Sequence, residues 1–246
     1  MENLFGNKNS RRYMPSANIW STSTLSNIQQ SHLLKMYTTI LIGTIITTLG
    51  AVIYINRLLQ IPTLVGLITG FGCMFYIIRS SSNTVIISFW RVLAFLIFCF
   101  TLGNSLGPLI IYGNFINPII IPTALITTLI LFVSLSCSAI YTKKRLTLYM
   151  SALILSASAY LGFISFFNFF FRSKFVDITL SYAFILLYSL YVFYDTQITL
   201  ECVAYGEKDF LLHAIQLYLD GINLFAKIAT VLIKKHQEEK ENKRKR

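Results

Sequence analysis

Seven apolar runs, separated only by short charged or proline-bearing connections, leave this chain little choice of fold. They extend from Met36 to Ile55, Thr63 to Ile78, Val92 to Tyr112, Ile119 to Ile140, Leu148 to Phe171, Ile178 to Tyr194 and Phe210 to Ile233. In lipid the backbone finds no water to bond to, so a spanning segment must satisfy its own N–H and C=O groups. Runs of about 20 residues do this as helices, not as barrel strands. With 55% of its 246 residues hydrophobic and 13% charged, the chain is neither disordered nor composed like a soluble domain. The expected architecture is an all-α integral membrane protein, a bundle of about seven transmembrane helices. A polar N-terminal segment covers 1–35, the membrane domain 36–233 and a basic tail 234–246. Residues 1–35 carry neither an early apolar core nor a cleavage pattern, so the first span is expected to serve as its own insertion signal.

Little in the sequence resembles an enzyme. Cys73, Cys99 and Cys137 lie inside apolar runs and Cys202 in a connection, with no pair at metal or redox spacing. They read as helix-packing residues, and no cofactor is expected. Gly66 and Gly70 form a G-x-x-x-G pair in the second run, Gly103 and Gly107 another in the third. Small residues at this spacing let helices approach closely. The stretch from Gly103 to Gly107 also spells the G-x-S-x-G elbow of serine hydrolases, with Ser105 as its serine. That elbow needs a strand-turn-helix setting, whereas this one sits in an apolar run beside Pro108, so packing is the reading adopted.

The seventh run differs from the rest. His213, Gln216, Asp220, Asn223 and Lys227 follow a 3-4-3-4 spacing, which at about 100° per residue confines them to an arc of roughly 80°. A helix lying on the membrane surface would gain most from a basic polar face, and this stripe has only Lys227 in its interior. A helix inside the bundle with its stripe facing a watery path is therefore the expectation. The sixth run matches it, with Ser181, Tyr188, Tyr191 and Asp195 on one face. Asp195 and Asp220 are read as the only two of the ten acids in or against apolar segments. An acid at a helix centre costs about 2.5–3.5 kcal/mol on insertion scales, which makes each a functional-site candidate. Asp220 lies about 15 Å into its helix and Asp195 near the boundary of its run, so the two meet only if helix six continues past Tyr194, through Leu200 to Ala204, or if helix seven enters deeper than its apolar run.

Phrases spread over most of the chain resemble the Bax inhibitor-1 family of multispanning proteins, also described by the transmembrane Bax-inhibitor motif. They are Gln29-Gln30-Ser31-His32-Leu33, Leu106-Gly107-Pro108, Asn117-Pro118 with Pro122-Thr123-Ala124, Tyr194-Asp195-Thr196-Gln197, Gly206-Glu207-Lys208-Asp209 and Leu217 to Phe225. The resemblance implies a membrane protein of the endoplasmic reticulum, or of the cell membrane in bacterial relatives, that lets Ca²⁺ leak down its gradient and suppresses cell death. Its expected partners are the lipid bilayer, Ca²⁺ and apoptosis-regulating membrane proteins. It implies that Asp195 and Asp220 form a pH-sensing pair that closes the pore and transiently meets the ion, with Arg79 as a basic residue able to engage the pair. Gly221 departs from the family, many of whose members carry an aromatic residue after the aspartate. Two carboxylates supply at most four of the roughly six to eight oxygens Ca²⁺ prefers, so Asn223, backbone or water would complete the shell. A shell that incomplete suits passage.

Two other readings follow from the same residues. A non-conducting membrane adaptor would act through the tail. An intramembrane aspartyl protease would use one aspartate on each of two spans, and Tyr194-Asp195 fits its opening motif. Leu217-Tyr218-Leu219-Asp220 lacks the Gly-x-Gly-Asp that such a protease needs, so no enzyme is expected. The tail mixes seven Lys/Arg with three Glu and no aromatic residue, which describes a solvated segment near anionic lipid, not a nucleic-acid surface.

Counting Lys and Arg, residues 1–35 and the even-numbered connections carry ten, against three in the odd-numbered ones. The positive-inside rule places the N-terminus in the cytosol. Seven full spans send the basic tail to the other side, whereas a re-entrant seventh segment keeps it cytosolic. Proteolysis of sealed microsomes should remove a tag from the N-terminus, and a protected N-terminal tag would overturn this orientation.

Overall fold

The computed structural model describes residues 25–81, 88–142 and 147–244. Residues 1–24, the middle of two basic connections and the last two residues of the tail lie outside the described residues. Among the described residues the chain forms seven α-helices and no strand: α1 (Asn27–Ile55), α2 (Thr63–Arg79), α3 (Phe89–Ile116), α4 (Ile120–Tyr141), α5 (Thr147–Phe171), α6 (Lys174–Ala204) and α7 (Phe210–Arg244). Six are long and apolar enough to cross a membrane. The exception is α2, whose 17 residues span about 25 Å, short of a hydrocarbon core of about 30 Å.

Capping chemistry sets the start of α1. Ser26 and Gln29 form a capping box, the Ser26 N–H donating to Gln29 Oε1 at 3.1 Å, so the helix begins ahead of the apolar run that opens at Met36. At its other end Arg57 takes a left-handed φ of 58°, and the Arg57 and Leu58 N–H groups return to Tyr54 O and Ile53 O. This arrangement satisfies carbonyls that the helix end would otherwise leave open.

In α6 the helix runs past Tyr194, where the apolar pattern stops. Thr196, Gln197, Thr199, Leu200 and Val203 are all buried. The Thr196 and Thr199 hydroxyls donate to Val192 O and Asp195 O one turn back, so the polar residues that end the apolar run do not end the helix. After a short connection α7 returns antiparallel along α6 as one unbroken helix of 35 residues, about 52 Å. It also packs on α1, α3 and α4 and is the most enclosed helix of the bundle. At its far end Lys234 meets Asp177 of α6 and Lys240 meets the carbonyl of Ile116 of α3, so Phe210 and Lys240 lie at opposite ends of the bundle. By contrast α5 is a lipid-facing helix: only Ile154 is buried, while Phe163, Phe166, Phe169 and Phe170 face outward.

The most extensive helix pair is α1 with α3, and glycine makes it possible. A Cβ on Gly103 would stand 2.0 Å from Thr47 O, one on Gly50 2.4 Å from Phe100 O, and one on Gly107 2.2 Å from the Tyr54 ring. Gly66 and Gly70 are different. Both face α3, but a Cβ on either would meet its nearest neighbour at 3.4 Å or more, which is ordinary contact. Of the four glycines singled out by spacing, two are close-approach positions, while the α1 partners Gly43 and Gly50 carry no such motif. The hydrolase-like stretch is helical, with Ser105 donating to Thr101 O. Its neighbour Asn104, 1% exposed, holds the α1–α2 connection by donating to Leu59 O and accepting from Ile61 N–H, each at 2.9 Å.

Gly103→Ala should therefore destabilise the protein in detergent by about 1–3 kcal/mol, because backbone has to move. Gly66→Ala and Gly70→Ala should be neutral or stabilising by up to about 1 kcal/mol, since alanine favours the helix. Thermal unfolding of the three variants checks both, with equal losses at all three positions as the contrary result.

Candidate functional site

Asp195 stands about 13 Å before the end of α6 and Asp220 about 15 Å after the start of α7, so the antiparallel hairpin brings them to one depth. They line a single cavity of about 430 Å³ with Ser158, Tyr188, Tyr191, Gln216 and Asn223 as its other polar members and Phe184, Leu187 and Leu219 as its apolar ones. Three helices supply these walls. Tyr191 and Ser158 share a hydrogen bond of 2.8 Å that ties α5 to α6 at the rim. Asp220 is 8% exposed, and its Oδ2 has no hydrogen-bond partner among the described residues. The ring of Phe132 from α4 lies 3.4 Å from where a Cβ of Gly221 would be, so an aromatic residue packs beside the aspartate from another helix.

The rest of the stripe has other partners. Lys227 stands 4.5 Å from the centre of the Phe184 ring, a cation–π contact at the edge of the cavity. His213 points away from the pair: its Nδ1 is 3.1 Å from Nε2 of His32 in α1, and its Nε2 is 3.5 Å from the Glu207 carboxylate. One stripe thus serves two places, the cavity in mid-bundle and a polar cluster at the α6–α7 connection.

That cluster includes residues the sequence reading passed over. Arg79 is exposed at the end of α2 and is not among the residues that line the cavity. The buried arginine is Arg91, 4% exposed on the first turn of α3, which donates from Nη2 to Asp209 Oδ2 at 2.6 Å. Asp209 is itself 6% exposed, so a third acid, besides Asp195 and Asp220, lies against an apolar segment, and the expectation of only two is corrected. Its Oδ2 also accepts from Ser81 at 2.6 Å, and its Oδ1 accepts from the Leu212 N–H at the start of α7. Burial alone would raise the Asp209 pKa, but the bonds from Arg91 and Ser81 and the arginine charge outweigh it and hold the carboxyl below its ordinary range. The available signal was its place directly before the apolar run at Phe210, in a helix N-cap position where a carboxylate is favoured.

Removing one member of a buried ion pair leaves the other unpaired, so Asp209→Asn should cost about 3–5 kcal/mol. A lowered folded-state pKa means that the contribution is complete above the ordinary carboxylate range and is lost as pH falls through the folded value. The gap in thermal stability between wild type and Asp209→Asn should stay constant near neutrality and close on acidification. A gap that widens on acidification would contradict this.

The family model for inhibitors of apoptosis-promoting Bax1 matches residues 29–237. Bax inhibitor 1 of Drosophila melanogaster is 30% identical over 218 residues, 87% of this chain and 86% of that protein. Bax inhibitor 1 of Oryza sativa subsp. japonica is 29% identical over 96% of each chain, and that of Homo sapiens 27% identical over 87% of this chain and 90% of its own. The match takes in both aspartates, the glycine seam, all of α6 and α7 as far as Gln237, and the chain belongs to the family of inhibitors of apoptosis-promoting Bax1.

Proposed function

We propose that this protein is a proton-regulated Ca²⁺ leak pathway of an intracellular membrane, the endoplasmic reticulum by its family resemblance, and that through this leak it suppresses cell death. The supporting observation is the meeting of Asp195 and Asp220 in a polar cavity between two adjacent spans. Two carboxylates held close in low dielectric titrate as one coupled unit, so the charge presented to a cation depends on pH. The oxygens of Ser158, Tyr191, Gln216 and Asn223 stand around the pair and could add to its shell without closing it. A cation held by so few fixed ligands leaves readily, as conduction requires. The N-terminus faces the cytosol in this reading. The far end of α7, with Lys234, Lys235, Lys240 and Lys243, then faces the opposite side of the membrane.

Purified protein in liposomes containing a Ca²⁺ dye tests the reading. Wild type should pass Ca²⁺ at a rate that varies with pH. Asp220→Asn should flatten that dependence, and adding Asp195→Asn should change little further, because coupled groups are not additive. If each single variant shifts the profile independently and the shifts add, the shared-proton mechanism is wrong. If wild type passes no Ca²⁺ at any pH but cleaves a transmembrane peptide, the facing carboxylates are a protease dyad. With neither activity, the adaptor role replaces both.

A further inference from the structure

At the α6–α7 connection three side chains of different chemistry converge. Cys202 lies on the last turn of α6, Glu207 in the connection and His213 on the first turn of α7, and one ligand atom from each falls within 4.8 Å of the other two. The backbone between them is fixed. Gly206 takes a left-handed φ of 99°, and the Glu207 N–H returns to Cys202 O at 3.0 Å, folding the connection back over the end of α6. His213 is 4% exposed, whereas Glu207 is open to solvent.

We propose that Cys202, Glu207 and His213 form a three-ligand site for a Zn²⁺-class cation, with His32 as the outer partner that orients the imidazole. The donor set selects the metal. A thiolate, an imidazole and a carboxylate suit borderline-soft Zn²⁺, whereas Ca²⁺ and Mg²⁺ take oxygen ligands throughout. Ligands around a tetrahedral Zn²⁺ stand roughly 3.5 Å apart. The His213–Glu207 separation of 3.5 Å already matches, and the cluster as a whole, within 4.8 Å, has to close by only about 1 Å. His213 already directs Nε2 toward Glu207 and Nδ1 toward His32 Nε2, 3.1 Å away. With metal on Nε2, the Nδ1–H donates to His32, the outer hydrogen bond that metal-bound histidines ordinarily make. Binding releases the Cys202 thiol proton to solvent and leaves the metal's oxidation state unchanged. The fourth position stays open to water on the side where Glu207 is exposed. The site is distinct from the aspartate pair: His213 precedes Asp220 by two helical turns, about 10.5 Å, along the same stripe.

The test uses full-length protein in detergent with its affinity tag removed, dialysed against Zn²⁺ and analysed for bound metal, with Co²⁺ as the spectroscopic probe. Wild type should bind one Zn²⁺ per chain, and the Co²⁺ form should show thiolate-to-cobalt charge transfer in the near ultraviolet. Cys202→Ser should abolish that band and weaken Zn²⁺ binding by more than about 100-fold, beyond the ~10–100-fold expected of His32→Ala as an outer partner. Glu207→Gln changes an exposed side chain and keeps the fold, so a weakened affinity there reports lost ligation alone. Absence of Zn²⁺ binding in wild type, wild-type affinity in Cys202→Ser, or a Co²⁺ spectrum without the thiolate band would each overturn the site.

Discussion

A helix with a continuous polar face can lie inside a membrane bundle only if each polar group on that face finds a partner, and α7 imposes this condition on the rest of the structure. Leaving one such group unpaired in a buried setting costs about 1–3 kcal/mol, more if it is charged. The bundle answers most positions and leaves Asp220 Oδ2 facing the cavity. His32 and Glu207 meet His213, Asp195 lines the cavity with Asp220, Phe184 meets Lys227, and Asp177 with Ser181 meets Lys234, while on the opposite face Thr47 meets Tyr218. These partners come from α1, α6 and the α6–α7 connection, the elements that pack along α7. The helix is enclosed because its neighbours were built around its stripe.

Such enclosure needs room, and the glycine seam provides it. With α1 and α3 in backbone contact at Gly50 and Gly103, the Phe95, Phe98 and Cys99 side chains of α3 project toward α7 and pack on Tyr218, which is 1% exposed. A side chain on Gly43 would strike Phe95 and Cys99 and crowd Tyr218 as well. One close approach thus seats Tyr218 two residues before Asp220 and fixes the depth at which that carboxylate enters the cavity.

How much of this could be read from the sequence depended on whether the information lay within one helix. The seven runs, the stripe of α7 and the matching face of α6 are periodic patterns within single segments, and the structure reproduces them. The meeting of Asp195 with Asp220 was legible as a condition on where α6 ends or how deep α7 enters, because depth along two antiparallel helices is simple arithmetic, and the structure takes the first course. Contacts between distant segments were not legible. Arg91 and Asp209 are 118 positions apart, and nothing in the local sequence of either names the other. Arg79, read as the basic residue near the acids, is exposed, because α2 is short and packs on α3. Gly43 and Gly50 are seven residues apart in an otherwise unremarkable apolar run, and only the neighbouring backbone shows why they lack side chains. The Cys202, Glu207 and His213 set escaped for a related reason: its ligands straddle a helix end, a turn and a helix start, where no single period applies.

The two ends of the α6–α7 pair are held with unequal strength, and this bears on how the cavity between them could open. Near the connection, Arg91–Asp209 is a buried pair with a second donor from Ser81, and breaking it would strand a charge out of water at about 3–5 kcal/mol. At the other end, Lys234 and Asp177 also pair at 2.6 Å but are 22% and 53% exposed, and water can replace either partner. Pairs of that kind are worth about 0–1 kcal/mol. The connection is therefore tied firmly to α3, and the far end of the hairpin is loosely latched, with the two aspartates between. A movement that separates α6 from α7 meets least resistance beyond Lys227, because the near end is joined through the chain and tied to α3 by Arg91, while the exposed Lys234–Asp177 pair links the two helices at the far end.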